Sequence, residues 1–204
     1  MKPSRPDSVA EVRPGVMYLD LDRITDTDFQ RALPRILEAK GVIFDLRGYP
    51  GQLSTIVLSH LIDSTITSPR WNIPVITRPD RRDMVFEYTN WPVLPASPRI
   101  RARTAFLING RAISYAETYL SMIEYYRLAE LVGEPTAGTN GNIANQHLPG
   151  GYDVTFTGMK VLKHDGSRLH GVGILPTVPV SPTSTGIAAG RDEQLEKAIE
   201  VVSR

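Results

Sequence analysis

The segment Ser114-Tyr115-Ala116-Glu117 places a hydroxyl and a carboxyl group at the start of a predicted helix, directly after a Gly-containing turn. Backbone N–H groups at a helix start lack partners within the helix and point toward incoming negative charge. A serine hydroxyl there is suited to nucleophilic acyl transfer if a base lies near it. The same residues are also typical of a capping box, in which Ser114 and Glu117 bond to helix N–H groups, and the local sequence alone favours the cap.

The other residue types limit the chemistry further. The chain has four His and no Cys, which excludes thiolate nucleophiles, disulfides and Cys metal sites. No two His are spaced i, i+4 and no His-Glu-x-x-His occurs, so we expect neither a catalytic metal nor a cofactor. His60 lies in an apolar segment typical of a packed residue, and His147 and His164 are read as surface or turn residues.

Short apolar runs alternate with amphipathic segments along the chain, and these elements must position the polar groups. Strands are predicted at 16–21, 42–46, 104–109 and 128–132; helices at 26–40, 53–62, 114–126 and 191–202; and hairpins pairing 73–77 with 84–88 and 152–156 with 159–163. This order predicts an α/β fold with a mostly parallel sheet, flanking helices and an antiparallel hairpin extension. Sites in such sheets lie at the carboxyl ends of the strands.

Length and charge narrow the class of protein. The 204 residues suffice for one core, and we expect residues 1–14 to be a linker or truncated upstream segment and residues 15–204 to be one domain. With 23 Lys+Arg against 22 Asp+Glu, there is no excess positive charge to bind a phosphate backbone, so nucleic acid is not an expected partner. No apolar run reaches the roughly 18 to 20 residues of a membrane span, and no signal peptide is recognisable.

Four ordered blocks resemble the motifs of the S41 serine peptidases, which include the tail-specific (C-terminal processing) and tricorn-like proteases. The blocks are Phe44-Asp45-Leu46-Arg47-Gly48-Tyr49-Pro50-Gly51, Ala112-Ile113-Ser114-Tyr115-Ala116-Glu117, Val132-Gly133-Glu134-Pro135-Thr136-Ala137-Gly138-Thr139-Asn140-Gly141 and Gly171-Val172-Gly173-Ile174-Leu175-Pro176-Thr177. The resemblance implies a ClpP/crotonase-like catalytic core and a peptide or protein substrate. It also implies that Ser114 is the nucleophile and that the N–H groups of Tyr115 and Gly51 form the oxyanion hole.

The general base departs from the tail-specific pattern. Those enzymes place a lysine where this chain has Thr139, which cannot accept a proton. Tricorn-like members use a histidine on the first strand and a glutamate before the late Gly-Val motif, and these two places correspond here to Asp20 and His170. The resemblance therefore suggests a set in which His170 is the base and Asp20 orients it. Asp20 as a polar strand residue and His170 as a loop residue are the structural alternatives.

The sequence leaves alternatives open for the Gly-rich loop, for the function and for the Pro-rich segment. Thr139 and Asn140 are candidates for contacting substrate or for holding their Gly-rich loop, and the second role is favoured. A binding module without turnover, and a core that needs upstream parts such as a PDZ domain, both compete with an active peptidase. The Pro-rich residues 64–98, with Trp71 and Trp91, are read as a lid or as a contact in a homo-oligomer. The resemblance also suggests a location outside the cytoplasm, where many but not all bacterial members of the family are found.

Overall fold

The apolar runs form a central sheet, and the amphipathic segments cover it. The computed structural model describes residues 5–204, so part of the predicted 1–14 lead lies outside the described residues. The strands are β1 (Val9–Arg13), β2 (Val16–Asp20), β3 (Gly41–Asp45), β4 (Ile66–Thr67), β5 (Arg70–Val75), β6 (Val85–Thr89), β7 (Pro92–Val93), β8 (Arg103–Ile108), β9 (Glu130–Gly133), β10 (Ile143–Leu148), β11 (Tyr152–Thr157), β12 (Lys160–Leu162) and β13 (Val178–Pro179). The helices are α1 (Asp26–Glu38), α2 (Ile56–Ser59), α3 (Tyr115–Tyr126), α4 (Ser184–Ala188) and α5 (Glu193–Val202).

The main sheet has six strands in the order β1-β2-β3-β8-β9-β13. Only β1 runs antiparallel to its neighbour, and the other pairs are parallel. Every residue of β2 and β3 is buried, as expected for strands covered on both faces. The predicted α/β fold with a mostly parallel sheet is therefore confirmed, and the sheet gains an antiparallel edge strand within the predicted lead.

Two apolar clusters lie on opposite faces of this sheet. The larger one joins Phe29 of α1, Phe44 of β3 and Ile123 of α3. The smaller one packs Ala198 of α5 against Ile43 and other residues of the central strands. Alternate residues of a strand point to opposite faces, so neighbours such as Ile43 and Phe44 serve different clusters. The packing fixes where α3 begins relative to the sheet.

Local signals set the bounds of α1. Thr25 and Asp28 form a capping box, in which the Asp28 N–H donates to the Thr25 hydroxyl and the Thr25 N–H donates to the Asp28 carboxylate. The helix then begins at Asp26, in agreement with the prediction. None of the helices in residues 5–204 combines the length and apolar character needed to cross a membrane.

The predicted helix over residues 53–62 is wrong in length, because α2 has only four residues. The carbonyls of Ser59 and His60 accept hydrogen bonds from the N–H groups of Ala96 and Ile100. These carbonyls are unavailable to continue the helix, although Leu61 and Ile62 remain buried. A segment distant in sequence thus ends a helix that the local apolar pattern would extend.

The predicted pairing of 152–156 with 159–163 is also wrong. Strand β11 pairs with β10, and β12 pairs with β5. The turn between β10 and β11 contains Gly150 and Gly151, both with positive φ, which glycine adopts readily. The other predicted hairpin is confirmed, since β5 and β6 pair in antiparallel register with Ile73 opposite Glu87.

Candidate active site

Ser114 lies where the chain passes from β8 into α3. Its backbone has φ 53° and ψ −114°, a positive-φ conformation that is unfavourable for a residue with a side chain. The Ser114 hydroxyl makes no capping hydrogen bond, so the capping box predicted from local sequence is wrong. Strained backbone of this kind is found at functional sites, where the surrounding structure holds it in place.

The Glu117 carboxylate holds the loop after β9 instead of completing a cap. It is fully buried and accepts hydrogen bonds from the Thr136 hydroxyl at 2.5 Å, the Gly138 N–H at 2.7 Å and the Thr139 N–H at 2.8 Å. Burial raises the pKa of Glu117, while these donors favour its ionised form. The loop is thereby fixed against the first turn of α3.

A cavity of about 440 Å³ opens beside Ser114. Its walls come from the turn after β3, the β5–β6 hairpin, the start of α3 and the segments flanking β10 and β12. The lining residues are Tyr49, Trp71, Ile73, Thr89, Trp91, Ser114, Tyr115, Thr118, Asn142 and Met159. Among the described residues that line it, none is His, Asp, Glu, Lys or Arg.

A larger cavity, of about 660 Å³, lies at the other end of the sheet. It is lined by Arg103 and Glu130, which begin β8 and β9. Binding sites in parallel sheets lie at the carboxyl ends of strands. Ser114 follows the carboxyl end of β8, so the smaller cavity is the one that suits the predicted chemistry.

The two predicted oxyanion donors differ in their availability. Tyr115 is the first residue of α3, a position whose N–H has no acceptor within a helix. The Gly51 N–H donates to the carbonyl of Tyr49 at 2.8 Å, so it is engaged within its own turn. Burial, with Asp26 and Tyr49 nearby, raises the pKa of the Tyr115 phenol to about 12, which keeps the side chain neutral. Of the two N–H groups, that of Tyr115 is the better placed to receive an anion.

His170 lies in a loop that is hydrogen-bonded to the loop after β9, which in turn accepts from the Ser114 N–H. The Gly171 N–H donates to the Gly138 carbonyl at 2.7 Å, and the His170 Nε2 atom accepts from the Val161 N–H at 3.2 Å. A neutral ring that accepts at Nε2 carries its proton on Nδ1. Burial, followed by the charges of Arg168 and Lys160, lowers the pKa of His170. The ring is therefore neutral near pH 7 and is bonded to the edge of β12.

Asp20 is fully buried at the carboxyl end of β2. Its carboxylate accepts from Arg5 at 2.9 Å, from Arg23 at 2.7 Å and from the Asp22 N–H at 3.1 Å. Within residues 5–204, the hydrogen bonds of Asp20 and those of His170 belong to separate networks. The proposed pairing of the two side chains stays a prediction.

The two loop candidates have different surroundings. Thr139 is exposed, while Asn140 is 1% exposed. The Asn140 amide donates to the Thr118 hydroxyl at 2.9 Å, and its oxygen accepts from the Gly141 N–H at 2.8 Å. Both ends of the amide are used inside the loop, which fits the favoured structural role.

The remaining histidines make local contacts. Buried His60 bonds through Nδ1 to the Pro98 carbonyl at 2.7 Å. His164 stacks on Tyr125 and bonds through Nε2 to the Thr67 carbonyl, and His147 pairs with a neighbour on the exposed β10–β11 hairpin. Each is accounted for by its packing or by its place on the surface.

Sequence reasoning missed the walls of the cavity. It left Trp71 and Trp91 open between a lid and an oligomer contact, and both line the space beside Ser114. The available signal was the chain's two tryptophans lying close together in one Pro-rich insertion. Nothing in their local sequence indicates which part of the sheet they face.

The fold agrees with the comparison to known families. The model of peptidase family S41 matches residues 15–180, which is most of the chain, and the chain belongs to this family. No curated protein sequence matches it.

Solved structures share the fold. A putative peptidase from Parabacteroides merdae superposes with a TM-score of 0.80 at 20% identity, over 95% of this chain and 63% of that one. Mature CPAF complexed with lactacystin gives 0.69 at 14% identity, over 91% and 50%, and the tricorn protease gives 0.60 at 18%, over 91% and 17%. The chain thus spans less than two thirds of each of these proteins, and at these identities the likeness concerns the fold.

Proposed function

We propose that this chain is the catalytic core of a serine-type peptidase, with residues 15–204 as one domain, Ser114 as its nucleophile and a peptide or protein as its substrate. The observation that carries the proposal is the geometry of Ser114. Its backbone is held at positive φ at the start of a helix, its hydroxyl makes no capping hydrogen bond, and the residue lines a cavity. Holding a nucleophile in this way fixes the direction of its attack.

In the proposed reaction, the Ser114 Oγ atom attacks the carbonyl carbon of a peptide bond as its proton passes to His170. The negative charge that forms on the carbonyl oxygen is stabilised by the Tyr115 N–H, and by Gly51 if its turn opens. His170 then gives the proton to the leaving amine, the C–N bond breaks, and water hydrolyses the acyl-enzyme.

This role requires His170 to change its hydrogen bond. The Nε2 lone pair that now accepts from Val161 cannot accept a proton from Ser114 at the same time. Turnover therefore needs a conformation in which the ring leaves the edge of β12. Orientation of the ring by Asp20 likewise needs Asp20 to exchange an arginine partner.

A fluorophosphonate probe tests the nucleophile. We expect labelling of the wild type at Ser114, none in Ser114→Ala and unchanged labelling in Ser54→Ala, which removes an exposed serine. In His170→Gln the labelling rate should fall by about 100-fold or more, the usual contribution of a general base. Labelling that survives Ser114→Ala would overturn the proposal, and labelling unaffected by His170→Gln would remove His170 as the base.

A second candidate function is peptide or apolar-ligand binding without turnover. It is favoured by the engaged Nε2 atom of His170 and by Thr139 at the place of the family's lysine. This function predicts saturable ligand binding together with no labelling of Ser114 at any pH. An upstream PDZ domain and assembly into a homo-oligomer are further proposals, which the described residues do not test.

A further inference from the structure

We propose that the cavity beside Ser114 selects a bulky uncharged side chain of the substrate, either aromatic or large aliphatic. The peptide nature of the ligand rests on the proposed function, whereas the chemistry of the selected side chain follows from the walls of the cavity. The selected residue is the one whose carbonyl Ser114 would attack, because Ser114 and Tyr115 themselves form part of the wall.

Two aromatic pairs form the main surfaces. The Trp71 and Trp91 rings have centroids 5.4 Å apart and are tilted by 42°, and those of Tyr49 and Tyr115 are 6.4 Å apart and tilted by 59°. Tilted aromatic rings offer both faces and edges to a further ring. Such walls favour an aromatic or branched aliphatic group over a small one, which would leave much of the roughly 440 Å³ unfilled.

The lining also excludes charge. Its polar side-chain groups in the described chain are hydroxyls, one amide and two indole N–H groups, all uncharged, and they include Thr89, Thr118 and Asn142. A Lys, Arg, Asp or Glu side chain entering this space would lose its hydration without meeting an opposite charge. The cavity therefore discriminates against charged residues as well as favouring apolar ones.

The wall contains one unsatisfied donor. Trp71 is 8% exposed, and its indole Nε1 is the buried side-chain polar atom without a hydrogen-bond partner within residues 5–204. A buried donor without an acceptor is unfavourable. Trp71 also lines the cavity, so a small shift of the indole on binding would let a carbonyl oxygen of the peptide accept from this N–H.

The insertion between α2 and β8 supplies much of this selectivity. In the β5–β6 hairpin, Trp71 stands opposite Thr89 in the register, and Ile73 follows Trp71 on the same face of β5. All three line the cavity, as does Trp91 just beyond β6. The Pro-rich insertion is thus assigned as the specificity element of the site.

Tryptophan fluorescence can measure occupancy directly, because the chain has two tryptophans and both line the cavity. The protein would be the Ser114→Ala variant, so that no peptide is consumed. The probes are four tryptophan-free peptides that differ at one position, which is Phe, Leu, Asp or Lys, together with N-acetylphenylalanine amide. We expect the Phe and Leu peptides to change the emission saturably and to bind about 10- to 150-fold more tightly than the Asp and Lys peptides.

A matched pair of variants locates the binding. Ile73→Asp puts a charge on the cavity wall, and Val75→Asp puts the same charge on the same face of the same strand, two residues further out. We expect Ile73→Asp to lower the affinity for the Phe peptide by at least tenfold and to raise the affinity for the Lys peptide. Val75→Asp should leave both affinities within about twofold of their original values.

The outcomes separate this proposal from the peptidase itself. Equal or tighter binding of the charged peptides, or equal effects of the two variants, would overturn the selectivity assigned to the cavity even if Ser114 is labelled. Selective binding without labelling of Ser114 in the wild type would support the selectivity of the cavity and overturn the proposed peptidase activity. Binding of N-acetylphenylalanine amide as tight as that of the Phe peptide would indicate a small-molecule site and overturn the assignment to a peptide.

Discussion

The backbone N–H of Ser114 donates a 2.8 Å hydrogen bond to the carbonyl oxygen of Thr139. The Thr139 N–H in turn donates to the Glu117 carboxylate, one turn further along α3. The start of the helix and the loop after β9 are therefore fixed to each other on both sides of Thr139. A change in this loop should reach the strained backbone of Ser114 even where the Ser114 side chain is untouched.

Replacing Glu117 by Gln should destabilise the protein and lower probe labelling at Ser114. The Gln side chain keeps one acceptor oxygen but turns an NH₂ group toward donors that the carboxylate now accepts. Leaving buried donors unsatisfied should lower the free energy of unfolding by about 1–3 kcal/mol. Urea unfolding and the labelling rate measure the two effects.

Glu124→Gln is the matched control, since Glu124 lies on the same helix and pairs with Lys163 in a partly exposed contact. We expect it to change stability by less than about 1 kcal/mol. Equal effects of the two substitutions would contradict the special role of Glu117.

Substituting Gly138 by Ala should disrupt the contact between the two loops of the site. Gly138 has φ +71°, and an added Cβ would lie 2.8 Å from the backbone nitrogens of Gly171 and Val172. Backbone atoms cannot move aside as a flexible side chain can, so we expect a loss of at least about 2 kcal/mol in unfolding free energy. Labelling of Ser114 should slow in parallel.

Gly151→Ala isolates the effect of conformation. Gly151 has a similar φ of +80°, but no atom lies within 4 Å of the position that an added Cβ would take. It should show only the cost of the left-handed backbone, about 1 kcal/mol. If Gly138→Ala is no more destabilising than this control, the close approach of the two loops is not maintained in solution.

Removing the Arg47 guanidinium should be among the most destabilising changes in the chain. Arg47 bonds to Asp45 at 2.6 Å and to Asp192 at 2.7 Å. Burial alone would raise the pKa of Asp45, and the hydrogen bonds and charge of Arg47 instead hold it below its ordinary value. Arg47→Met leaves the buried Asp45 carboxylate with only the Tyr18 hydroxyl and the more distant Arg5 as partners, and it also removes the partner of Asp192. We expect a loss of about 3–5 kcal/mol by chemical denaturation.

Arg99→Met provides the comparison, because Arg99 and Asp63 form an exposed pair that should contribute about 0–1 kcal/mol. Should Arg47→Met fail to fold, the milder Asp192→Asn variant retains the cap of α5 and should still lose more stability than Arg99→Met. A loss no greater than that of Arg99→Met in both variants would contradict the buried network.

Stability should fall as the pH drops below neutrality, and His170 should account for part of the fall. Burial is the first cause that lowers the pKa of His170 from 6.5, and His164 shifts in the same direction for the same reason. As the pH falls through 6.5, the unfolded chain binds protons that the folded protein resists, so the free energy of unfolding decreases. As the pH rises above 6.5, the contribution of the two residues to this dependence fades, because both states then bind few protons.

His170→Gln tests this assignment, because the Gln oxygen can still accept from the Val161 N–H but cannot be protonated in this range. The slope of unfolding free energy against pH between about 7 and 5 should become shallower in this variant. The slope that remains is due in part to His164. An unchanged slope in His170→Gln would show that the imidazole is not held neutral by the fold.

The sequence was most informative where structure depends on neighbours along the chain. The buried runs that became β2, β3 and β8 were recognisable because strands covered on both faces are continuously apolar. The start of α1 agreed with the predicted bound at 26, and the bond between Thr25 and Asp28 that fixes it spans only one helical turn. Such signals need no knowledge of distant residues.

Predictions failed where a distant segment competed with a local pattern. The apolar residues 53–62 suggested a long helix, yet Ala96 and Ile100 take the carbonyls that would have continued it. The apparent cap formed by Ser114 and Glu117 was equally plausible locally, but the loop residues Thr136–Thr139 offer Glu117 three donors at once. In both cases a tertiary hydrogen bond replaced the local one.

The amino-acid sequence by itself determined the alternation of strands and helices, the family motifs and the position of Ser114 after a central strand, because burial pattern and turn chemistry act over a few residues. Only the tertiary structure decided that Trp71 and Trp91 face Ser114, that His170 bonds to Val161 and that Asp20 pairs with arginines. Those relationships depend on how separate segments pack around the sheet, and side chains far apart in sequence carry no local signal of which partner they will meet.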